Sequence, residues 1–406
     1  MAVKNAQGTP GWLGAVNDRT AFSLLLEHGV LTRNRIGELS GLSKPTAAQI
    51  VTRLEEAGLI YEAAQISGGR GPNAAGYAAH TDRVLGVAVD VTPTAIHATV
   101  ADARGTEYPV VTLPVVTLPV AQHPATRPAP GRSALSDIRA AIDAASLAAG
   151  TSPEAVQRLH IAVPGAVDPR SDELSFANKL PGWPRRGLRA HLEDGLARTV
   201  EIDNDANLAA IAERTRGAGI DSPGFALLWM GSGLGVSIDQ GGSLIRGASG
   251  GAGEIGYLPV PRSAAELDPV AEDLQDLMGG TAVSRLLRSH GVQGRTLDDR
   301  LERFAEAPAA ARSAALAELA PRIALGALPV LAVLDPGTIV LGGPIGAAGG
   351  RALADLVRTH IRRSSRWAPD VVATTVGAHP ALRGAHDALV TDVRTSLLEN
   401  ITALSA

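Results

Sequence analysis

Cysteine is absent from the 406-residue chain, and aromatic residues make up only 3% of it. The absence of cysteine excludes disulfides and thiolate metal sites and is consistent with a reducing compartment. The formal net charge is −4, so any contact with DNA must depend on a local basic surface. The longest apolar run, residues 323–334, is too short to span a bilayer and contains a proline. The first 20 residues do not follow the order of a signal peptide, so we expect a cytoplasmic protein with no membrane partner.

Residues 19–62 have the pattern of three short helices, which differs from the rest of the chain. The second of these is predicted to direct Ile36 and Leu39 inward and to end at Gly41. Ser43 is a good N-cap for the third helix, because its hydroxyl can accept a backbone N–H of the first turn. A helix, a tight glycine turn and a second helix form the arrangement that places a recognition helix in the major groove.

Residues 58–79 follow these helices and predict a β-hairpin with a glycine-rich tip, as in the wing of a winged helix-turn-helix. We therefore predict a DNA-binding domain over residues 1–80; the alternative is a small helical protein-interaction domain. The side chains expected to face the groove or the phosphates are polar or basic. They are Arg33, Lys44, Thr46, Gln49, Thr52, Arg53 and Arg70.

From residue 83 onward, hairpins are followed by helices and further strands, which predicts an α/β body. This region contains "AVPGAVDP", "NKLPGW", "DNDANLAAIAE", "MGSGLGVSI", "GASGGAGEIGYLPV" and "LDPGTIVLGG" in that order, after "GLSKPTAAQIVTRLEEAGLI" in the head. Together these motifs resemble the ROK family of repressors, open reading frames and kinases. The resemblance implies a two-lobed, actin-like ATPase (ribonuclease-H-like) body. We expect lobes over residues 83–210 and 211–406, with the C-terminal helix able to pack back on the first lobe.

The resemblance also implies a sugar pocket between the lobes. Carboxylates and carboxamides suit such a pocket, because ring hydroxyls both donate and accept hydrogen bonds. The residues implied are Asn178, Asn204, Asp205, Glu254, Tyr257 and Glu272. Three alternatives remain open from the sequence: Asp205 could be an ordinary helix cap, Glu254 could lie in a surface loop, and Tyr257 could be buried filler.

Three departures from the family pattern argue against catalysis and against a cofactor. Kinases of this family have glycines after the first aspartate, whereas this chain has Thr92 and Pro93 after Asp90, so ATP phosphates would meet side-chain bulk. The family's zinc-binding histidine is replaced by Tyr257, and its cysteine cluster is missing. The glycine loop at residues 231–235 is retained. We expect no enzyme activity and no cofactor, although Asp205 would be the base in a kinase.

The sequence therefore predicts a sugar-responsive, DNA-binding transcriptional regulator, most simply a repressor. Its expected partners are double-stranded operator DNA and a sugar or sugar derivative, and it is expected to form a homodimer or homotetramer. The alternatives are an ATP-dependent sugar kinase with an attached DNA-binding domain and a regulator that responds to no ligand.

Overall fold

The computed structural model describes residues 10–67, 73–115, 133–176 and 180–404. These residues form an N-terminal head, two α/β lobes and a long C-terminal helix. Two of the expected site residues, Arg70 and Asn178, lie outside the described residues.

The head is a three-helix unit closed by a small antiparallel sheet of order β1-β3-β2. Its elements are α1 (Pro10–His28), β1 (Leu31–Thr32), α2 (Arg33–Ser40), α3 (Lys44–Glu56), β2 (Ile60–Ile66) and β3 (Ala74–Ala79). Thr32 and Ser43 cap α2 and α3, because each side-chain oxygen accepts a backbone N–H from the first turn. Gly41 has a φ of 70° and ends α2, as the sequence predicts.

The prediction for Leu39 is wrong. This side chain is 37% exposed, whereas Ile36 is fully buried. Gly37 makes the close approach to α3, since a Cβ there would meet the Leu42 carbonyl oxygen at 3.2 Å and the Ala47 Cβ at 3.4 Å. The buried face of α2 is therefore centred on Ile36 and Gly37, and Leu39 lies outside it.

The first lobe is a five-stranded mixed sheet of order β10-β7-β4-β5-β6, covered by helices. Strands β4, β5 and β6 are antiparallel neighbours, and β7 and β10 extend the sheet in parallel beside β4. The elements are β4 (Leu85–Val91), β5 (Ala95–Ala101), β6 (Val111–Pro114), α4 (Ala134–Ala149), β7 (Val156–Val163), β8 (Ala166–Val167), β9 (Leu174–Ser175), α5 (Leu188–Leu196), β10 (Thr199–Asn204) and α6 (Asp205–Arg216).

The second lobe repeats this topology with the strand order β13-β12-β11-β14-β15. Here β11, β12 and β13 are antiparallel neighbours, while β14 and β15 continue in parallel from β11. The elements are β11 (Gly224–Met230), β12 (Leu234–Gln240), β13 (Ser243–Leu244), α7 (Leu274–Met278), α8 (Gly280–Ser289), α9 (Leu297–Glu306), α10 (Ala309–Leu334), β14 (Thr338–Gly342), α11 (Gly343–Ser364) and β15 (Asp370–Ala373). The body thus consists of two sheets with the same order of strands.

Helix α10 is long and apolar enough to cross a membrane by length and composition, with a mean hydropathy of 1.6 over its best window. It extends well beyond the apolar run at residues 323–334, because the helix continues through Pro321. It packs against α11 and contributes Leu319, Ile323 and Leu331 to the core of the second lobe. Its apolar character is therefore explained by its place in that core.

The C-terminal helix α12 (Pro380–Leu404) packs on the first lobe, although it follows the second lobe in sequence. It lies against α6 and β4, where Leu389 fills the space above Gly86. It also contacts α1 of the head. Ala88, Leu208 and Leu389 belong to the same apolar cluster as the head residues Phe22 and Ile50, so the head and first lobe share one core.

Candidate functional site

The stretch "EIDNDAN" (residues 201–207) forms the end of β10 and the start of α6, at the junction of the lobes. Asn204, not Asp205, is the N-cap of α6: its side-chain oxygen accepts the backbone N–H groups of Ala206 and Asn207 at 2.8 and 3.2 Å. Its amide nitrogen donates to the Gly165 carbonyl oxygen at 3.1 Å. Asn204 therefore fixes the helix start to the turn after β7, and its carboxamide is occupied.

The carboxylate of Asp203 connects the lobes. One oxygen accepts from the Asn207 side chain at 3.0 Å, and the other accepts from Arg246 of the second lobe at 2.7 Å. Asn207 in turn accepts from the buried hydroxyl of Ser237 on β12 at 2.8 Å. The base of α6 is thus tied to both halves of the body.

A cavity of about 310 Å³ lies between the lobes at the start of α6, at the lower end of the usual size range for small-molecule sites. Asn204 and Asp205 line it from the first lobe, and Glu254 and Tyr257 line it from the second. Four of the expected ligand residues are thus brought together. The cavity is also lined by Phe176, Trp229, Ser232, Gly233, Asp273, Gln275 and Thr281, among others.

Asp205 occupies the first helical position of α6, and Ala206 donates its backbone N–H to the Asp205 carboxylate at 2.9 Å. Glu254 is half-buried, and burial raises the pKa of its carboxyl. The two acids lie on opposite sides of one concave site, which is a suitable arrangement for binding ring hydroxyls. Glu254 does lie in a loop, but this loop forms part of the cavity wall.

Asp90 lies behind Asp205 at the end of β4 and is 7% exposed. Burial, and then the charge of Asp205, raises the pKa of Asp90 to about 7. The turn that follows is closed on itself, because Thr92 donates its backbone N–H to the Ala95 carbonyl oxygen and accepts the Ala95 N–H on its hydroxyl. The Thr92 N–H, which could otherwise cradle a phosphate, is used within the turn.

The second glycine loop, residues 231–235, connects β11 to β12 and faces the same cavity. Gly231 donates its N–H to the Gly233 carbonyl oxygen at 2.9 Å. Gln275 donates its side-chain amide to the Ser232 carbonyl oxygen at 3.3 Å and thereby fixes this loop against α7. The glycine loop is therefore held in place at the cavity wall.

Tyr257 is 56% exposed, so the alternative that its side chain only fills space in the core is wrong. Its ring contacts the ring of Phe176 from the first lobe, with 5.2 Å between the centroids. The zinc site of the family does not fit this structure: Tyr257 replaces the histidine, and the described residues contain no group of three or more His, Asp or Glu side chains able to hold a metal.

Glu272 is exposed and does not line the cavity, in contrast to the expectation from the sequence. The neighbouring Asp273 lines it instead, and its side chain caps α7 by accepting the Asp276 N–H at 2.8 Å. The pattern Asp273-Leu274-Gln275-Asp276 is a helix-start signal that indicates this position in the sequence. Phe176, by contrast, has no signal of this kind, since its contact with Tyr257 joins distant segments.

The recognition helix α3 exposes Lys44, Gln49 and Thr52. Thr46 is half-buried, and its hydroxyl lies 2.8 Å from that of the N-cap Ser43. Arg53 is held in a bidentate ion pair with Asp18 of α1, whose side chain is only 4% exposed. Arg53 is therefore engaged within the head while its side chain stays 45% exposed, and its role as a phosphate ligand stays a prediction.

Arg33 is exposed at the start of α2. Its guanidinium donates to the Tyr77 hydroxyl at 2.6 Å and lies over the Tyr77 ring. This contact joins α2 to the wing strand β3. The head thus exposes Lys44, Gln49 and Thr52 on α3 and Arg33 on α2.

The winged helix-turn-helix family model matches residues 17–61 of this chain, and the ROK family model matches residues 87–392. Among solved structures, a ROK family transcriptional regulator described as a homologue of the E. coli MLC protein aligns over 96% of this chain and 99% of its own, with a TM-score of 0.66 and 16% identity. A ROK family glucokinase from Streptomyces griseus, in complex with glucose and AMPPNP, aligns over 75% of this chain and 98% of its own, with a TM-score of 0.57 and 26% identity.

Two curated relatives are named as a repressor and as an enzyme. The xylose repressor of Bacillus subtilis is 25% identical over 60% of this chain and 60% of its own length. The bifunctional enzyme NanE/NanK of Brucella suis is 32% identical over 58% of this chain and 43% of its own length. In both cases the alignment spans less than two thirds of the relative. The ROK match covers most of the body and confirms the predicted fold and family: the chain belongs to the ROK family and carries an N-terminal winged helix-turn-helix domain.

Proposed function

We propose that the protein is a transcriptional regulator whose affinity for operator DNA is altered by a sugar bound between its lobes, acting as a repressor. The observation that carries this proposal is the position of α6. Its first residue, Asp205, lines the interlobe cavity, and its body packs on α12, which contacts the DNA-binding head. One helix pair thus connects the ligand site to the head.

The relatives support the nature of the ligand and of the response. The glucokinase of known structure has glucose bound, and the Bacillus subtilis relative is named a xylose repressor. Asp205 and Glu254 supply carboxylates to the cavity, and their side chains suit the hydroxyls of a sugar. Asn178 is proposed as a further sugar contact from the motif "NKLPGW".

The sugar changes DNA affinity by favouring one angle between the lobes. Asp203 and Arg246 join the base of α6 to the second lobe, so lobe closure shifts α6 and, through it, α12. A ligand can shift DNA affinity only by its differential affinity for the two conformations, typically about 1 to 3 kcal/mol. In a cytoplasmic homodimer or homotetramer, two heads would read half-sites about one helical turn apart.

The second candidate is an ATP-dependent sugar kinase with an attached DNA-binding domain. The preserved glycine loop and the position of Asp205 favour it, whereas the closed turn at Thr92 and Pro93 opposes phosphate binding. A coupled assay for ADP release with glucose, xylose and N-acetylmannosamine separates the two candidates. We expect no release above that of Asp205→Ala; release that depends on Asp205 would establish the kinase.

The proposed function is tested with an operator selected from a random duplex library by the full-length protein. Fluorescence anisotropy then measures operator affinity with and without each sugar of a panel. We expect one sugar to weaken operator binding at least about fivefold, and Asp205→Asn to remove the effect without changing the affinity for DNA alone. The proposal fails if no sugar changes operator affinity in the wild-type protein.

A further inference from the structure

Two aromatic rings from different lobes meet at the interlobe cavity. Phe176 follows β9 in the first lobe, and Tyr257 follows Glu254 in the second. Their ring centroids are 5.2 Å apart at a tilt of 42°, and the two residues, which both line the cavity, are 46% and 56% exposed. The contact lies in the range of favourable aromatic pairs and leaves a large part of each residue accessible at the cavity. A ligand that covers these rings would remove that surface from water.

The backbone at Phe176 is held in an unusual conformation. Its φ is 58°, in the left-handed region that bulky residues seldom occupy. Strain of this kind persists where the surroundings enforce it, often at ligand sites. Gly251 lies beside the ring, and a Cβ there would come within 3.4 Å of the Phe176 Cε2 atom. The absence of a side chain at residue 251 leaves the ring room at the cavity wall.

The aromatic pair is adjacent to the acidic part of the cavity. Glu254 precedes the single 3-10 turn Ile255–Tyr257, so Glu254 and Tyr257 are three residues apart. Both residues line the cavity. A hydroxyl-binding group and a flat apolar surface thus neighbour each other in the cavity wall, as a sugar ring and the group on its glycosidic oxygen do in a glycoside.

We propose that the cavity is built for a glycoside, with the sugar hydroxyls on Asp205 and Glu254 and a flat apolar aglycone against Phe176 and Tyr257. This inference rests on the proposed sugar-binding function and adds the class of ligand. The aromatic pair replaces the selectivity that a histidine at residue 257 would supply, because ring surface favours an apolar group where an imidazole favours a hydroxyl. Tyr257 acts through its ring and not through its hydroxyl.

The test compares methyl and phenyl β-glycosides of glucose, galactose and xylose by calorimetry on the full-length protein. Burying a phenyl group favours the phenyl glycoside by about tenfold or more in the wild-type protein. Phe176→Ala reduces this preference to about threefold or less, and Tyr257→Phe leaves it unchanged because the ring remains. Affinity for the selected operator confirms that each variant is folded.

The outcomes separate this inference from the proposed function. If methyl and phenyl glycosides bind equally and Asp205→Asn abolishes both, the aromatic site is wrong while sugar binding stands. A phenyl preference that survives Phe176→Ala also overturns the aromatic site. If Phe176→Ala weakens the binding of both glycosides by the same factor, the aromatic pair holds the lobes together. It is then not a surface that selects the aglycone. If none of the glycosides binds while a free sugar of the panel still weakens operator binding, the aromatic site is wrong and the proposed function stands.

Discussion

At the scale of single residues, the main difference between expectation and structure concerns the stretch "NDAN". The question is which of its residues caps α6 and which lines the cavity. Asparagine and aspartate are equally good N-caps, so the sequence cannot tell which of Asn204 and Asp205 caps α6. The structure resolves this through Gly165, whose carbonyl oxygen accepts from the amide nitrogen of Asn204. A carboxylate has no such donor, so only asparagine can both cap the helix and hold the neighbouring turn, which leaves Asp205 facing the cavity.

A second residue-scale feature is the ion pair of Arg53 with Asp18, and it leads to a stability prediction. Arg53→Ala leaves the buried carboxylate of Asp18 without its bidentate partner. We expect a loss of about 1 to 3 kcal/mol in the free energy of unfolding of the head, since an unsatisfied buried acceptor bears its full desolvation cost. Urea denaturation of Arg53→Ala, Asp18→Ala and the double variant gives the coupling free energy between the two side chains. If the loss in the double variant equals the sum of the losses in the single variants, the ion pair contributes no coupling free energy.

The buried carboxyl of Asp90 predicts a pH dependence of stability. Its pKa is raised to about 7 in the folded chain, above the value of an unfolded aspartate, so the folded state holds the proton more tightly. This contribution is fully present below about pH 4 and is lost as the pH rises through 7, on the order of 4 kcal/mol in total. Glu213 and Glu254, whose pKa values are also raised by burial, add to the same trend.

Asp90→Asn tests this assignment, because an amide does not titrate. The free energy of unfolding of the variant, measured by urea denaturation from pH 4 to 8, should fall less steeply with pH than that of the wild-type protein. Parallel curves for the two proteins would show that Asp90 is ionised throughout the range or equally protonated in both states.

At the scale of elements, the packing of α6 on α12 depends on a glycine. A Cβ at Gly384 would overlap the backbone carbonyl of Leu208 in α6, so the two helices must separate to admit any side chain. We expect Gly384→Ala to lower the free energy of unfolding by about 1 to 3 kcal/mol, in the range of overpacked cores. The matched control is Gly14→Ala in α1, where a Cβ meets nothing within 4 Å.

Because Gly14 lies inside a helix with open space around it, its replacement by alanine should be neutral or stabilising by up to about 1 kcal/mol. Thermal unfolding of both variants measures the difference. Equal effects at Gly384 and Gly14 would mean that helix propensity, and not the contact between α6 and α12, determines the outcome at Gly384.

Elements formed by local signals were predictable, whereas contacts between distant elements were not. The caps at Thr32 and Ser43 and the glycine at residue 41 follow from short-range hydrogen bonding and backbone freedom. The contact of Phe176 with Tyr257 joins two loops of different lobes, so no spacing in the sequence indicates it. Asp273 is a different case, since the helix-start signal by which its side chain caps α7 is local and could have indicated it in place of Glu272.

At the scale of the whole molecule, the head, the first lobe and the C-terminal helix α12 share one continuous core. The apolar cluster that contains Phe22 and Ile50 of the head also contains Leu208 of α6 and Leu389 of α12. Packed interiors transmit displacement because they are dense and have few voids. The order of the sequence motifs predicted the family and the two lobes. The return of α12 to the first lobe, which makes this shared core, was expected only from the resemblance.

The shared core leads to a thermodynamic prediction for the intact protein. If a sugar weakens operator binding by a given factor, the operator must weaken sugar binding by the same factor, because both arise from one coupling free energy. We expect a factor of about 5 to 150, measured in both directions by calorimetry with the selected operator and by anisotropy with the active sugar. Asp205→Asn is the control, since it should lose sugar binding while α6, capped by Asn204, keeps its contact with α12. Unequal factors in the two directions would show that the sugar acts by changing the number of protomers on the operator and not through α6 and α12.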